Sequence, residues 1–343
     1  PMASSWVPVG YLLLVLAFGT VLHPELKAFY RHGHGGMKNT VSAIDTIIAC
    51  GFLVLLRLAT GTSDRPFREK FRWAAPPGVF VFLVITLSTW ANFLSYETFA
   101  LLGPSELIFV WLFARWYQPK EQQIPWWWDL PAVAVTTMGT VLLSVSTWPS
   151  TTEFTALAAA LLCRACQALM TVSLRSCCVV LEGVSRKDTV SVVEIAQWKL
   201  MVTSCLCLPY ALLTEGIKPW STMTSRTFWA ESSALLLCGS VVITIGFQWA
   251  TVGLNRCFRS PLCALLQSTL QPLTACVLVL LLAESPWQQI LGLKQRKSLM
   301  DIIGLCGLLL GLLLSAILSF HRSRITRQSG FRDETVEFLD REA

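Results

Sequence analysis

Two basic side chains lie deep inside long apolar stretches of the sequence. They are Arg164 and Lys199. A charge in such surroundings is costly, so it usually faces a polar cavity, an opposite charge or the surface. The planar guanidinium and the ammonium could together hold an anionic group of a bound molecule. The alternatives are that each one neutralises a neighbouring carboxylate or extends to the surface.

A carboxylate lies in similarly apolar surroundings. Glu106 follows Pro104 at the start of an apolar block. At that position it could bind a cation or a proton, which makes it a candidate coupling group. The alternative is that Glu106 caps the N-terminus of its own helix, where a negative charge is favoured by the helix dipole.

Neutral polar side chains are scattered through the same blocks. They can hydrogen-bond a substrate or a neighbouring helix, and both interpretations stay open. The candidates for substrate binding are Asn92, Gln167, Gln267 and Gln271, and Gln248 has the same character.

No motif of a known catalytic or nucleotide-binding site occurs. The sequence has no G-x-S-x-G nucleophile, no H-E-x-x-H zinc motif and no Walker-type phosphate loop. Cys163 and Cys166 have C-x-x-C spacing without a second pair, and His32 and His34 have no further ligands nearby. We therefore expect no enzymatic activity, no metal site and no cofactor.

The composition predicts that these polar groups are carried on membrane-spanning helices. The chain has 343 residues, of which 54% are hydrophobic and 14% charged. That is more apolar surface than one soluble core can bury, so lipid must cover the excess. The net charge of +6 does not indicate a nucleic-acid partner, because the basic residues form short runs between apolar blocks.

Ten apolar blocks are long enough to be transmembrane helices, since one crossing needs roughly 20 residues. They run from 6 to 22, 41 to 59, 75 to 96, 100 to 116, 126 to 145, 154 to 181, 190 to 213, 232 to 250, 261 to 283 and 298 to 320.

The distribution of Lys and Arg predicts the orientation. With the N-terminus in the cytosol, the cytosolic segments hold seventeen of the 27 basic residues and the opposite segments hold eight, and the other two are Arg164 and Lys199. Cytosolic loops are enriched in positive charge, so both termini are expected in the cytosol. The membrane itself, plasma or internal, is not indicated.

A weak internal repeat divides the chain. Trp90 precedes Phe99 by nine residues, and Trp249 precedes Phe258 by the same spacing, 159 residues further on. That offset fits a duplication of five helices, and because five is odd the two copies must have opposite orientations. We predict an all-α membrane protein with one five-helix repeat in residues 1–149, a second in residues 150–321 and a cytosolic tail in residues 322–343.

The order of motifs resembles the drug/metabolite transporter superfamily, in particular its EamA-like and triose-phosphate-translocator-like branches. The resemblance is carried by Ser260-Pro261, Gln271-Pro272, Ala283-Glu284 and the glycines of the last block, Gly304, Gly307 and Gly311. The predicted ninth helix has Gln267 and Gln271 where phosphate-exchanging members carry a basic residue. The resemblance implies that helices one to four and six to nine line a central cavity.

From these observations we expect a secondary transporter that moves a small polar or organic-anion metabolite by alternating access. The alternatives are a nucleotide-sugar or sugar-phosphate exchanger of an internal membrane, and a receptor or scaffold that transports nothing. The expected partners are a small-molecule substrate and the lipid bilayer. The GxxxG spacing of Gly307 and Gly311 favours close packing within the fold, with a homodimer as the alternative.

Overall fold

The computed structural model describes residues 7–15, 17–18, 37–91, 102, 105–117, 130–145, 154–182, 189–225, 232–257, 263, 306–307, 310–311 and 313–314. Within these ranges all regular secondary structure is helical. The main helices are α1 (residues 7–15), α2 (Lys38–Thr60), α3 (Phe67–Ala91), α4 (Ser105–Tyr117), α5 (Leu130–Val145), α6 (Phe154–Val180), α7 (Val192–Glu215) and α8 (Ser232–Cys257). A short helix, Lys218–Met223, follows α7.

Five of these helices, α2, α3, α6, α7 and α8, are long and apolar enough to cross a membrane. A helical architecture of this kind is that of a polytopic membrane protein. Each of the first eight predicted spans overlaps one of the helices α1 to α8. The predicted ninth and tenth spans, the proposed repeat boundary and the tail fall largely or wholly outside the described residues.

The long helices pack in pairs whose directions can be read from their contacts. The start of α2 meets the end of α7 through Asn39 and Glu215, and the end of α2 meets the start of α7 through Arg57 and Gln197, so the two helices are antiparallel. Helix α3 packs along both α6 and α7, and α8 contacts α2, α6 and α7. Helix α4 packs along α6.

Glycine residues allow close packing at three places. A Cβ atom at Gly78 of α3 would lie 2.6 Å from the backbone oxygen of Lys199, so α3 and α7 touch through their backbones. Gly253 of α8 lies against the ring of Tyr11 in α1 in the same way. A Cβ at Gly307 would lie 3.1 Å from the Cα of Gly139 on α5, so Gly307 packs against its own chain.

Helix α3 begins before the apolar block that predicted it. It starts at Phe67 rather than near residue 75, so Pro76 and Pro77 lie inside the helix. The added turns are polar and are held by Arg65 paired with Glu69 and by Lys70 paired with Glu194. Hydropathy did not indicate these turns because charged residues interrupt their apolar ones, although Ala74 and Trp73 pack in the core and Phe67 packs against Trp198.

Candidate functional site

Three of the predicted site residues come together at the contact of α4 and α6. Arg164 and Gln167 are three residues apart on α6, which places them on one face of the helix. The Nη1 atom of Arg164 donates a hydrogen bond of 2.9 Å to Oε1 of Gln167. Glu106, in the first turn of α4, lies against the same face and is fully buried.

Thr171 completes this cluster and was not predicted. Its hydroxyl donates to the Gln167 carbonyl at 3.0 Å and lies 3.4 Å from Oε1 of Glu106. Thr171 lies four residues after Gln167, so a helical pattern through Arg164 and Gln167 could have included it. We call Glu106, Arg164, Gln167 and Thr171 the α4–α6 cluster.

The electrostatics of the cluster are dominated by one carboxyl and one guanidinium group. Arg164 is close enough to Glu106 to interact with its charge. The second carboxyl oxygen of Glu106, Oε2, is buried and has no hydrogen-bond partner among the described residues. The other carboxyl oxygen, Oε1, accepts a hydrogen bond from the Thr171 hydroxyl on α6, so the carboxyl group faces α6. Such a pair can bind an anion at the arginine and a proton or cation at the carboxyl group.

Lys199 lies in a different part of the bundle. It is fully buried on α7, and its electrostatic neighbours are the thiols of Cys177 and Cys178 on α6. Its Nζ has no hydrogen-bond partner among the residues that the structure describes. Cys177 is thirteen residues after Arg164 on α6, which corresponds to about 20 Å along the helix. One small anionic group therefore cannot contact both Lys199 and Arg164.

Glu194 is likewise engaged elsewhere. It forms an ion pair of 2.8 Å with Lys70 of α3, with both side chains buried. Glu194 and Lys199 are five residues apart on α7, or about 140° around the helix, so they do not face each other. The structure shows Lys70 as the partner of Glu194.

Helix α8 carries a continuous polar face. Five buried residues recur at intervals of three or four along it: Ser240, Thr244, Gln248, Thr251 and Asn255. At one end of this face the Ser240 hydroxyl donates a hydrogen bond to the Asp45 carboxylate of α2. At the other end Arg175 of α6 donates a hydrogen bond to the backbone carbonyl of Asn255. Oε1 of Gln248 and Oδ1 of Asn255 are buried acceptors without a partner in the described part of the chain.

Asp45 is the residue that sequence reasoning missed most clearly. It is a buried acidic residue within the predicted span 41–59 and accepts a hydrogen bond of 2.8 Å from Ser240. The signal was available, because a carboxylate inside an apolar block of this length is rare. The remaining candidates, Asn92, Gln267 and Gln271, lie outside the described residues. Among the described residues no group of three or more His, Cys, Asp or Glu side chains could hold a metal ion.

Comparison with known proteins shows the fold and no more. No protein-family model matches the sequence, and no curated protein matches it. Twenty-seven chains of solved structures match it. One of them, described only as "Crystal structure of protein", has a TM-score of 0.56 and 16% sequence identity. The match covers 90% of this chain and 98% of the other, so nearly the whole of both chains shares one fold.

Proposed function

We propose that this protein is a secondary transporter of the drug/metabolite transporter type, which moves a small polar or organic-anion metabolite by alternating access. The observation that carries the proposal is the α4–α6 cluster. Arg164 lies near the middle of α6, a helix long and apolar enough to cross a membrane, and the buried Glu106 of α4 packs beside it. Charged side chains at such depth are costly and commonly belong to a substrate or ion pathway.

The pattern of helix contacts supports two inverted five-helix repeats. In such a duplication helix n of the first repeat is equivalent to helix n+5 of the second. The contact of α3 with α6 then corresponds to that of α8 with α1, and α3 with α7 corresponds to α8 with α2. The duplication makes α2 and α7 equivalent to each other, so the contact between them is its own counterpart. In the same scheme the ninth helix is equivalent to α4, and α1 is equivalent to α6. The contact of Cys263, in the predicted ninth span, with Val15 of α1 then corresponds to the contact of α4 with α6.

The ends of α2 and α7 support the same equivalence. Both helices are followed by a glycine with positive φ, Gly61 at 90° and Gly216 at 70°. In each case the glycine N–H bonds back to the carbonyl four residues earlier, that of Arg57 or Leu212. A glycine with positive φ often follows the end of a helix, so each cap alone is ordinary. Their occurrence at matching positions fits the duplication.

Arg164 is the proposed contact for the anionic group of the substrate. Its guanidinium can hold a carboxylate or similar anion through two parallel hydrogen bonds, while Gln167 keeps the side chain in place. Glu106 is the proposed coupling group, because its carboxyl is buried beside Arg164 and its Oε2 faces no partner among the described residues. An arriving anion competes with Glu106 for Arg164, which links substrate binding to the state of the carboxyl group.

One observation favours a second candidate within transport. The acceptors Gln248 and Asn255 on the polar face of α8 suit a substrate rich in hydroxyl groups. A nucleotide-sugar or sugar-phosphate exchanger of an internal membrane would have such a substrate. The burial of Glu106 beside Arg164 also fits the third candidate, a scaffold in which the cluster only joins α4 to α6.

A binding screen separates these candidates. Purified protein in liposomes is heated with amino acids, organic acids, nucleotide sugars or sugar phosphates, because a ligand that binds the native state raises the unfolding temperature. We expect one class of anion to stabilise the parent protein but not Arg164→Ala. Arg65→Ala is the matched control, since Arg65 pairs with Glu69 away from the cluster and should keep the effect. If the anion still raises the unfolding temperature of Arg164→Ala, Arg164 is not part of the binding site.

A further inference from the structure

A carboxylate at the start of α7 holds the segment that follows α2. Oε2 of Glu194 accepts hydrogen bonds from the Ser63 N–H at 3.2 Å and from the Ser63 hydroxyl at 3.1 Å. Lys70 of α3 donates to Oε1 of Glu194 and to the Ser63 carbonyl, each at 2.8 Å. We call these three residues the Glu194 latch.

A second carboxylate performs the same task at the other end of the helix pair. Glu215, the last residue of α7, accepts hydrogen bonds from the N–H groups of Asn39 at 2.7 Å and Thr40 at 2.9 Å. The Thr40 hydroxyl donates to it as well, at 2.7 Å. The first N–H groups of a helix have no partner within the helix, so Glu215 caps α2. We call these three residues the Glu215 latch.

The two latches occupy equivalent places. The Glu194 latch joins the segment after α2 to the first turn of α7. The Glu215 latch joins the end of α7 to the first turn of α2. Thr40 is the third residue of α2 and Glu194 is the third residue of α7. Because α2 and α7 are antiparallel, the latches lie at opposite ends of the pair.

Their chemistry is unequal. The Glu194 latch contains an ion pair in which both side chains are buried. The Glu215 latch has no basic side chain among its described contacts, and Glu215 itself is only half-buried. A charged hydrogen bond away from water is stronger than one that water can replace. The two ends of the pair are therefore held with different strengths.

We propose that the two latches are alternating gates. The Lys70–Glu194 ion pair keeps the end of the bundle at the start of α7 closed when no substrate is bound. This inference rests on the proposed transport function. With the orientation expected from the basic residues, that end faces the cytosol. Opening of one latch lets α2 and α7 tilt and tightens the other.

Amide hydrogen exchange on the full-length protein in lipid nanodiscs tests this directly. The Ser63 N–H reports the Glu194 latch, and the N–H groups of Asn39 and Thr40 report the Glu215 latch. Glu194→Gln removes the ion pair, and we expect exchange at Ser63 to rise about tenfold while exchange at Asn39 and Thr40 falls. Glu215→Gln should have the opposite effect at both sites. Glu69→Gln removes a neighbouring carboxylate outside the latches and should change neither.

Two gentler substitutions cover the case in which Glu194→Gln does not fold. Ser63→Ala and Thr40→Val each remove one hydroxyl from one latch and should give the same reciprocal changes with smaller size. Faster exchange at both latches in any variant means simple loosening and overturns the proposal. A change confined to the altered latch overturns it too.

Flux measured in vesicles made from the same preparations separates this inference from the transport function. If flux is present and the exchange rates are not reciprocal, the latches are not alternating gates and transport stands. If the exchange rates are reciprocal and no substrate is moved, the transport function fails and the coupled latches stand.

Discussion

Ser240 of α8 donates a hydrogen bond of 2.8 Å to Asp45 of α2, and both side chains are buried. The two residues are 195 positions apart in sequence. In the proposed architecture they belong to different repeats, so this bond ties the halves of the transporter together. It also places a carboxylate at one end of the polar face of α8.

Removal of the Ser240 hydroxyl should weaken the fold. Hydrogen bonds to charged groups contribute about 1.5–3 kcal/mol, and the buried Asp45 carboxylate loses one in Ser240→Ala. We expect an unfolding temperature several degrees lower than that of the parent protein in the same detergent. Ser221→Ala removes an exposed hydroxyl bonded to the Lys218 carbonyl and serves as the control. Equal unfolding temperatures for the two variants would contradict a stabilising role for the Asp45–Ser240 bond.

Substitution of Glu106 should change how transport depends on pH. Gln has nearly the same size but cannot exchange a proton, so Glu106→Gln should flatten the curve of uptake against pH. Thr171→Val removes the neighbouring hydroxyl and should displace the curve without flattening it. Uptake of the identified substrate is measured across a series of external pH values. An unchanged curve in Glu106→Gln would show that the coupling proton is carried elsewhere.

Replacement of Lys199 should stabilise the protein. The ammonium group is fully buried and has no hydrogen-bond partner among the described residues, which is costly. Methionine has a similar length and suits the surrounding apolar residues, so Lys199→Met should raise the unfolding temperature. Because Lys199 is remote from Arg164, substrate affinity should stay within about twofold. A lower unfolding temperature together with loss of binding would instead place Lys199 in the substrate site.

The contact between α3 and α7 depends on a missing side chain. In Gly78→Ala the new Cβ would lie 2.6 Å from the Lys199 oxygen and 2.8 Å from Cβ of Val202. The helices must separate, and overpacking of this kind typically costs about 1–3 kcal/mol. Gly51→Ala on α2 meets nothing within 4 Å and should be neutral or slightly stabilising. The prediction fails if the two variants unfold at the same temperature.

The sequence predicted the helices well where apolar burial alone defines them. It also predicted Glu106, Arg164 and Gln167 as functional candidates, and the structure brings these three together. It did not predict the early start of α3, because the charged residues there interrupt the apolar pattern and the partner of Lys70, Glu194, lies 124 positions away in the chain. Nor could it show that Lys199 and Arg164 are separated, since both simply occupy apolar blocks and their positions around each helix depend on packing. Asp45 was overlooked although its pattern resembles that of Glu106.

Reconstituted flux is the most direct test of the central proposal. Liposomes containing the protein are loaded with the anion that stabilises it, and the uptake of labelled anion is followed for the parent protein, Arg164→Ala and Arg65→Ala. The account predicts saturable uptake by the parent protein and by Arg65→Ala, and uptake at the level of protein-free liposomes for Arg164→Ala. No uptake by the parent protein of any anion that binds it, or equal uptake by all three proteins, would contradict it.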